Sequence, residues 1–159
     1  LYAVSVPSSD ELVLALDSGG TSSPILPSYA RLSPDDKWDE AKGYGWIGNV
    51  PDFRDRNKLD ELQRDFTLSR NGTTILRLKV PAGVHKTSIL TGDASFSSGN
   101  TIIRSESNLL GESGEELTPG QFKWITFDLD GGALGREIDL EITGALKEGY
   151  WRIVSLIMM

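Results

Sequence analysis

The chain of 159 residues contains no cysteine and only one histidine, and its net charge is −7. The lack of cysteine excludes disulfides, thiol nucleophiles and zinc–cysteine sites. Nucleic acids and anionic membrane surfaces attract basic surfaces, which a chain of this charge does not offer. The longest apolar run, at residues 153–159, is far shorter than the roughly 20 residues needed to cross a bilayer. These absences exclude nucleic acid and membrane as expected partners.

The usual marks of a catalytic centre are also missing. His85 follows a turn at residues 81–83, and any Ser-His-Asp triad would have to use it. There is no Gly-x-Ser-x-Gly elbow, and no glycine-rich phosphate loop precedes a helix. The 23 acidic residues offer many carboxylate pairs for glycoside hydrolysis, but most are expected to be solvated. We predict that the chain is not an enzyme; an assay with acetylated and uronic-acid substrates tests the alternative of a small esterase or lyase.

Short alternating apolar segments dominate what is present. Hydrophobic residues make up 38% of the chain, enough for a buried core in one domain covering residues 1–159. Strands are predicted near residues 12–16, 29–32, 64–68, 76–80, 86–91, 100–106, 122–129, 138–143 and 150–158. One helical turn is predicted at 57–63, and Asn71-Gly72 is a hairpin signal. The pattern predicts an all-β fold, a two-sheet antiparallel β-sandwich of the jelly-roll type.

No cofactor is expected, although the sequence leaves open the possibility of a structural calcium ion. Asp10, Glu11 and Asp17 flank the first predicted strand, and carboxylate oxygens are the ligands that calcium prefers. The acidic loop at 128–132 lacks the regular spacing of a calcium-binding loop.

Two glycines alternate with two large aromatic residues in Gly43-Tyr44-Gly45-Trp46. Glycine lets a ligand approach the backbone closely, and Tyr and Trp offer flat apolar faces with one hydrogen-bonding group each. Such faces suit a sugar ring. The predicted binding platform consists of Tyr44, Trp46, Phe96, Tyr150 and Trp151. The alternative for Tyr44 and Trp46 is a role in the core.

Charged groups that would choose among sugars follow this stretch. Arg54 and Arg56 share one face if the segment is extended, and guanidinium groups hold a carboxylate or sulfate by paired hydrogen bonds. Asp93 is a third candidate contact. The alternative for either arginine is an ion pair with a neighbouring aspartate: Asp52, Asp55 or Asp65.

Several segments keep a recognisable order: Leu14-Ala15-Leu16-Asp17-Ser18-Gly19-Gly20, Gly43-Tyr44-Gly45-Trp46, Arg54-Asp55-Arg56, Arg64-Asp65-Phe66, and 78–84 running into 90–93. Over residues 12–159 they resemble the galactose-binding-like domain of rhamnogalacturonan acetylesterases and α-agarases and, more distantly, malectin. The resemblance implies a jelly roll joined to a catalytic domain in secreted enzymes that degrade polysaccharides. It implies a loop-end sugar pocket to which Tyr44, Phe96 and the loop at 147–151 correspond. Gly149 stands where malectin has an aspartate.

Two functions follow as hypotheses. The first is a non-catalytic carbohydrate-binding module, bacterial and extracellular, that directs a covalently linked catalytic domain to its oligo- or polysaccharide. The second is a structural accessory domain that packs on its catalytic neighbour without binding sugar. Substitution of Trp46 separates them, because a platform residue would affect binding and a core residue would affect stability.

Overall fold

The computed structural model describes residues 4–8, 12–69, 72–145 and 150–159, and throughout these ranges the regular secondary structure consists of β-strands. The strands in these ranges are β1 (Leu14–Ser18), β2 (Ala30–Leu32), β3 (Tyr44–Ile47), β4 (Asp52–Asp55), β5 (Asp65–Ser69), β6 (Thr74–Val80), β7 (Val84–Gly92), β8 (Thr101–Ser105), β9 (Asn108–Glu112), β10 (Phe122–Asp130), β11 (Arg136–Gly144), β12 (Trp151–Ile153) and β13 (Ser155–Met158). The predicted all-β sandwich is confirmed.

The strands form two five-stranded sheets and one small sheet. The first sheet has the order β10-β7-β13-β1-β2, and the second has the order β3-β6-β11-β8-β9. The small third sheet, β12-β5-β4, was not expected from the sequence. All pairs are antiparallel except β1 with β2.

In the first sheet, β13 and the second half of β7 are buried on both faces. Ile89 of β7 packs in the core between the two large sheets, whereas its neighbour Leu90 packs in a second core. Leu156 and Ile157 of β13 divide in the same way, because successive side chains on a strand point to opposite faces. The second core also contains Phe66 of the third sheet. This double coverage explains why the C-terminal segment is almost continuously apolar.

Strand β11 has one dry and one wet face, as its alternation predicts. Ile138, Leu140 and Ile142 lie in the main core. Such alternation is typical of an edge-like or surface strand, but β11 is not at an edge, because it lies between β6 and β8. On the outer face Arg77 of β6 donates to Asp139 directly opposite, at 2.7 Å. Alternation therefore indicated a wet face and carried no information about neighbouring strands.

The predicted helical turn at 57–63 is absent. Asn57 and Leu59 have φ angles of 51° and 68°, in the left-handed region that a right-handed helix excludes. Asn71, the first residue of the predicted Asn71-Gly72 hairpin turn, lies outside the described residues. The strands before and after it, β5 and β6, belong to different sheets, so the segment joins two sheets.

Two buried aspartates, Asp17 and Asp65, hold the loop at 19–28. Asp65 Oδ2 accepts hydrogen bonds from Gly20 N at 2.9 Å and from Ser23 Oγ. Asp17 Oδ2 accepts from Leu26 N at 2.7 Å. Burial raises the pKa of Asp17 to about 7, and the charge of Asp65 acts in the same direction. Burial also raises the pKa of Asp65.

Candidate functional site

Three of the five predicted platform rings lie in the core. Tyr44, Trp46 and Trp151 are exposed to only 6%, 2% and 0%. The Trp46 and Trp151 ring centroids are 5.9 Å apart with the planes inclined by 33°. Trp46 Nε1 donates to Ser33 O and Tyr44 Oη to Arg31 O, each at 2.9 Å. The expectation that these rings are open to a sugar is therefore wrong.

The glycines beside Tyr44 and Trp46 have a structural explanation. The stretch forms strand β3, so Tyr44 and Trp46 point to the same, inner face. Gly45 faces the other way, where an added Cβ would lie 2.4 Å from the backbone of Lys37. Its φ of 152° also disfavours a side chain. Gly45 thus admits a neighbouring backbone segment, where the sequence had suggested close approach of a ligand.

A cleft of about 900 Å³ lies beside the two predicted arginines. Four predicted residues line it: Arg54, Arg56, Phe96 and Tyr150. The other described lining residues were not predicted: Leu68, Ser97, Gly99, Asn100, Gly114, Glu116, Ala145 and Arg152. The cleft is assembled from distant parts of the chain, with β4, β5 and β12 of the third sheet on one side. It is the candidate functional site.

Asp93 is a buried residue that contacts two of the arginines lining the cleft, Arg56 and Arg152. It is fully buried after the end of β7, and its carboxylate accepts two hydrogen bonds from Arg56, Nε to Oδ1 at 3.0 Å and Nη2 to Oδ2 at 2.9 Å. Arg152 Nε lies 3.3 Å from Asp93 Oδ2. Burial alone would raise the pKa of Asp93, but the bonds from Arg56 and the charges of Arg56 and Arg152 hold it below its usual value. The carboxylate is therefore ionised at neutral pH.

Asp93 also positions the exposed aromatic residue of the cleft. Its Oδ1 accepts hydrogen bonds from the backbone N–H groups of Ser95 at 2.8 Å and Phe96 at 3.2 Å. One buried carboxylate thus holds both a guanidinium group and the loop that carries Phe96. Asp93 was predicted to contact a ligand; its burial instead gives it a positioning role.

Two of the arginines that line the cleft contact aromatic rings. The Arg56 guanidinium lies 4.6 Å from the Phe96 ring centroid, and that of Arg152 lies 5.9 Å from the Tyr150 ring. Both guanidinium groups also contact the buried Phe66 ring, at 5.3 and 5.4 Å. Such contacts fix the planar groups at small cost in side-chain freedom.

Arg54 lies at the rim of the cleft. Its Nη1 donates to Asp52 Oδ2 at 2.7 Å and to Phe53 O at 2.6 Å. Of the aspartate partners weighed from the sequence, Asp52 is thus found for Arg54. Arg56 takes none of them and pairs with Asp93 instead, 37 positions further along the chain.

Arg152 was missed by sequence reasoning, although a signal for it existed. Tyr150, Trp151 and Arg152 are consecutive in or beside β12, and alternate residues share a face. Since Trp151 is in the core, Tyr150 and Arg152 face the cleft together. Naming both Tyr150 and Trp151 as binding residues disregarded this alternation.

The described residues offer no cluster of side chains for a metal ion. In the ranges that the structure describes, no group of three or more histidine, aspartate or glutamate side chains could hold a metal ion. Asp10 and Glu11 of the possible calcium site lie outside these ranges. Within them, no helix has the length and apolar character needed to span a membrane.

No protein-family model and no curated protein sequence matches this chain. Among solved structures it is similar to protein YXIM of Bacillus subtilis, with a TM-score of 0.65 and 15% identity over 91% of this chain. The plant receptor-like kinase ANX2 has a TM-score of 0.62 at 9% identity over 92%, and beta-glucuronidase 2 of Bacteroides uniformis 0.57 at 14% over 91%. The likeness is one of fold. The chain spans 39%, 47% and 17% of the lengths of these three chains, respectively.

Proposed function

We propose that this domain is a non-catalytic carbohydrate-binding module whose site is the cleft beside Arg56, Phe96 and Tyr150. The observation that carries the proposal is an aromatic face exposed next to polar groups that are already fixed. Phe96 is 57% exposed, although its backbone is held by Asp93. A sugar ring can pack its C–H face on such a ring while its hydroxyl groups meet the neighbouring polar side chains.

The fixed polar groups make the cleft suitable for binding without reorganisation. Arg56 is held by two hydrogen bonds and by two aromatic rings. Asn100 also lines the cleft, and its amide is held in place because it donates to Glu112 Oε2 and accepts from Gly114 N. Groups that are ordered before binding lose less conformational entropy when the ligand arrives.

The carboxylates of the cleft favour binding over hydrolysis. Glycoside hydrolysis commonly needs two carboxyl groups roughly 5–10 Å apart, one of which carries a proton. Among the described residues that line the cleft, Glu116 is the only acid. Asp93 beneath it is fully buried and has a lowered pKa, which makes it a poor proton donor.

The proposed setting is a longer, secreted bacterial protein in which the module directs a linked catalytic domain to its polysaccharide. It is supported by the resemblance to domains of polysaccharide-degrading enzymes. The similar fold in a much longer beta-glucuronidase chain is compatible with this setting.

Replacement of Phe96 by alanine is expected to weaken binding of the best polysaccharide about tenfold, since the lost ring contact is worth about 1.4 kcal/mol. Titration calorimetry with plant and algal oligosaccharides measures the change. Leu134→Ala is the matched control, because Leu134 is 97% exposed and is not among the cleft residues. Equal affinity of Phe96→Ala and the wild type, or no binding to any glycan, contradicts the proposal.

A structural accessory domain is the second candidate, and the burial of Tyr44 and Trp46 favours it. If the domain only packs on a catalytic neighbour, these rings serve the core alone and the cleft has no ligand. Thermal melts with and without glycan separate the candidates. A ligand that binds the folded state raises the melting temperature, whereas a domain without a ligand melts identically in both samples.

A further inference from the structure

We infer that the cleft takes an acidic glycan, one that carries a carboxylate or a sulfate ester, and that Arg152 is the residue that anchors the anionic group. This inference rests on the proposed function of the cleft. It concerns the charge of the ligand, which the fold and the aromatic contacts leave undetermined.

The first argument is the local balance of charge. Three arginines line the cleft against a single glutamate among the described lining residues. Beneath the floor, Arg56 and Arg152 share one carboxylate, that of Asp93. Arg54 is already paired with Asp52, so the excess of one positive charge belongs to the group formed by Arg56, Arg152 and the Asp93 carboxylate. The whole chain has a net charge of −7, so this local excess is opposite in sign to the protein.

The second argument is the state of Arg152 itself. Its side chain is only 10% exposed, and within the described part of the chain its buried Nε has no hydrogen-bond partner. Asp93 Oδ2, its ion-pair partner at 3.3 Å, already accepts a hydrogen bond from Arg56. Burial disfavours the charged form of Arg152 and lowers its pKa; the charge of Asp93 opposes this shift, and the charge of Arg56 adds to it. An arginine in this position is stabilised by a second anion.

The third argument is geometry. A guanidinium group presents a planar set of donors that matches the oxygens of a carboxylate or a sulfate. The Arg152 guanidinium lies 5.4 Å from the Phe66 ring centroid and 5.9 Å from that of Tyr150, and Arg152 lines the cleft. Arg54 lines the same cleft at its rim, where its charge is paired with that of the exposed Asp52.

The test uses pairs of ligands that differ only in charge. One pair is oligogalacturonate and its methyl ester, and the other is a sulfated galactan oligosaccharide and its desulfated form. Titration calorimetry of the wild-type domain is expected to give at least tenfold tighter binding of the acidic member of one pair, and this preference is expected to shrink as NaCl is raised. The pair that shows the preference identifies the anion as carboxylate or sulfate.

Two variants test the assignment to residues. Arg152→Lys keeps the charge but loses the planar donors, and it is expected to reduce the acidic preference at least threefold while the neutral member binds as before. Arg54→Gln alters a partly exposed rim residue, and it is expected to lower the salt dependence of binding. Arg136→Gln is the control, because Arg136 is exposed and is not among the cleft residues.

The outcomes separate this inference from the proposed function. Equal binding of acidic and neutral members overturns the inference and leaves carbohydrate binding intact. Absence of binding to all four ligands and to the wider glycan panel overturns both. If Arg152→Lys fails to fold, Arg54→Gln decides, and an unchanged acidic preference and salt dependence in that variant contradicts the inference.

Discussion

Replacement of Trp46 by alanine is expected to lower the free energy of unfolding by about 3–5 kcal/mol, the range for deleting a large buried aromatic side chain. The indole packs against Trp151 in the main core and donates a hydrogen bond to Ser33 O. Its removal leaves a cavity between the two large sheets and removes one of the two hydrogen bonds that Ser33 O accepts, the other coming from Asp36 N at 3.0 Å. Urea denaturation followed by circular dichroism measures the loss.

The same variant separates a core role from a binding role. Because Trp46 does not line the cleft, glycan affinity of folded Trp46→Ala is expected to fall less than that of Phe96→Ala. Leu134→Ala again serves as the control, and its unfolding free energy should stay within about 0.5 kcal/mol of the wild type. A Trp46→Ala protein of native stability that no longer binds glycan would show that the core assignment is wrong.

Replacement of Asp17 by asparagine is expected to stabilise the domain at pH 8 by as much as about 4 kcal/mol. In the folded state burial raises the pKa of Asp17 from 3.8 to about 7. Between these two values the native state binds more protons than the unfolded state, so stability falls as the pH rises. Above about pH 7 the full cost of the buried charge is present. Asparagine removes this cost, and its Oδ1 still accepts the hydrogen bond from Leu26 N.

Unfolding free energies at pH 5 and pH 8 provide the measurement. The wild type should be more stable at pH 5, and Asp17→Asn should flatten most of this difference. Asp65 retains an effect of the same direction, since its pKa is also raised by burial. Asp128→Asn, on the exposed side of β10, is the matched control and should keep the wild-type pH dependence. Equal wild-type stability at both pH values contradicts the prediction.

The strand pattern was largely predictable because it depends on neighbours in sequence. Alternation placed Ile138, Leu140 and Ile142 on one face of β11, and the structure has them there. Strand β3 was not predicted, because the alternation of glycines with Tyr44 and Trp46 was interpreted as a ligand-binding stretch. The helical turn at 57–63 was wrong because two leucines three residues apart do not specify the backbone angles of the residues between them.

The candidate site was predicted in part. Arg54 and Arg56 lie beside one cleft, and Phe96 and Tyr150 join them. Arg152 and the role of Asp93 were missed, because their contacts join residues far apart in the chain. Asp93 meets Arg56 across 37 positions and Arg152 across the junction between the first and third sheets.

The sequence by itself determined an all-β chain, its acidic charge and which residues share a face within a strand, since these follow from composition and from the two-residue period of β-structure. Only the tertiary structure decided which of those faces is inside. In the folded domain Tyr44, Trp46 and Trp151 lie in the core. The residues that line one cleft include Arg54, Arg56, Phe96, Tyr150 and Arg152. The reason is that a strand face becomes inner or outer only when another sheet covers it, and this coverage depends on distant segments of the chain.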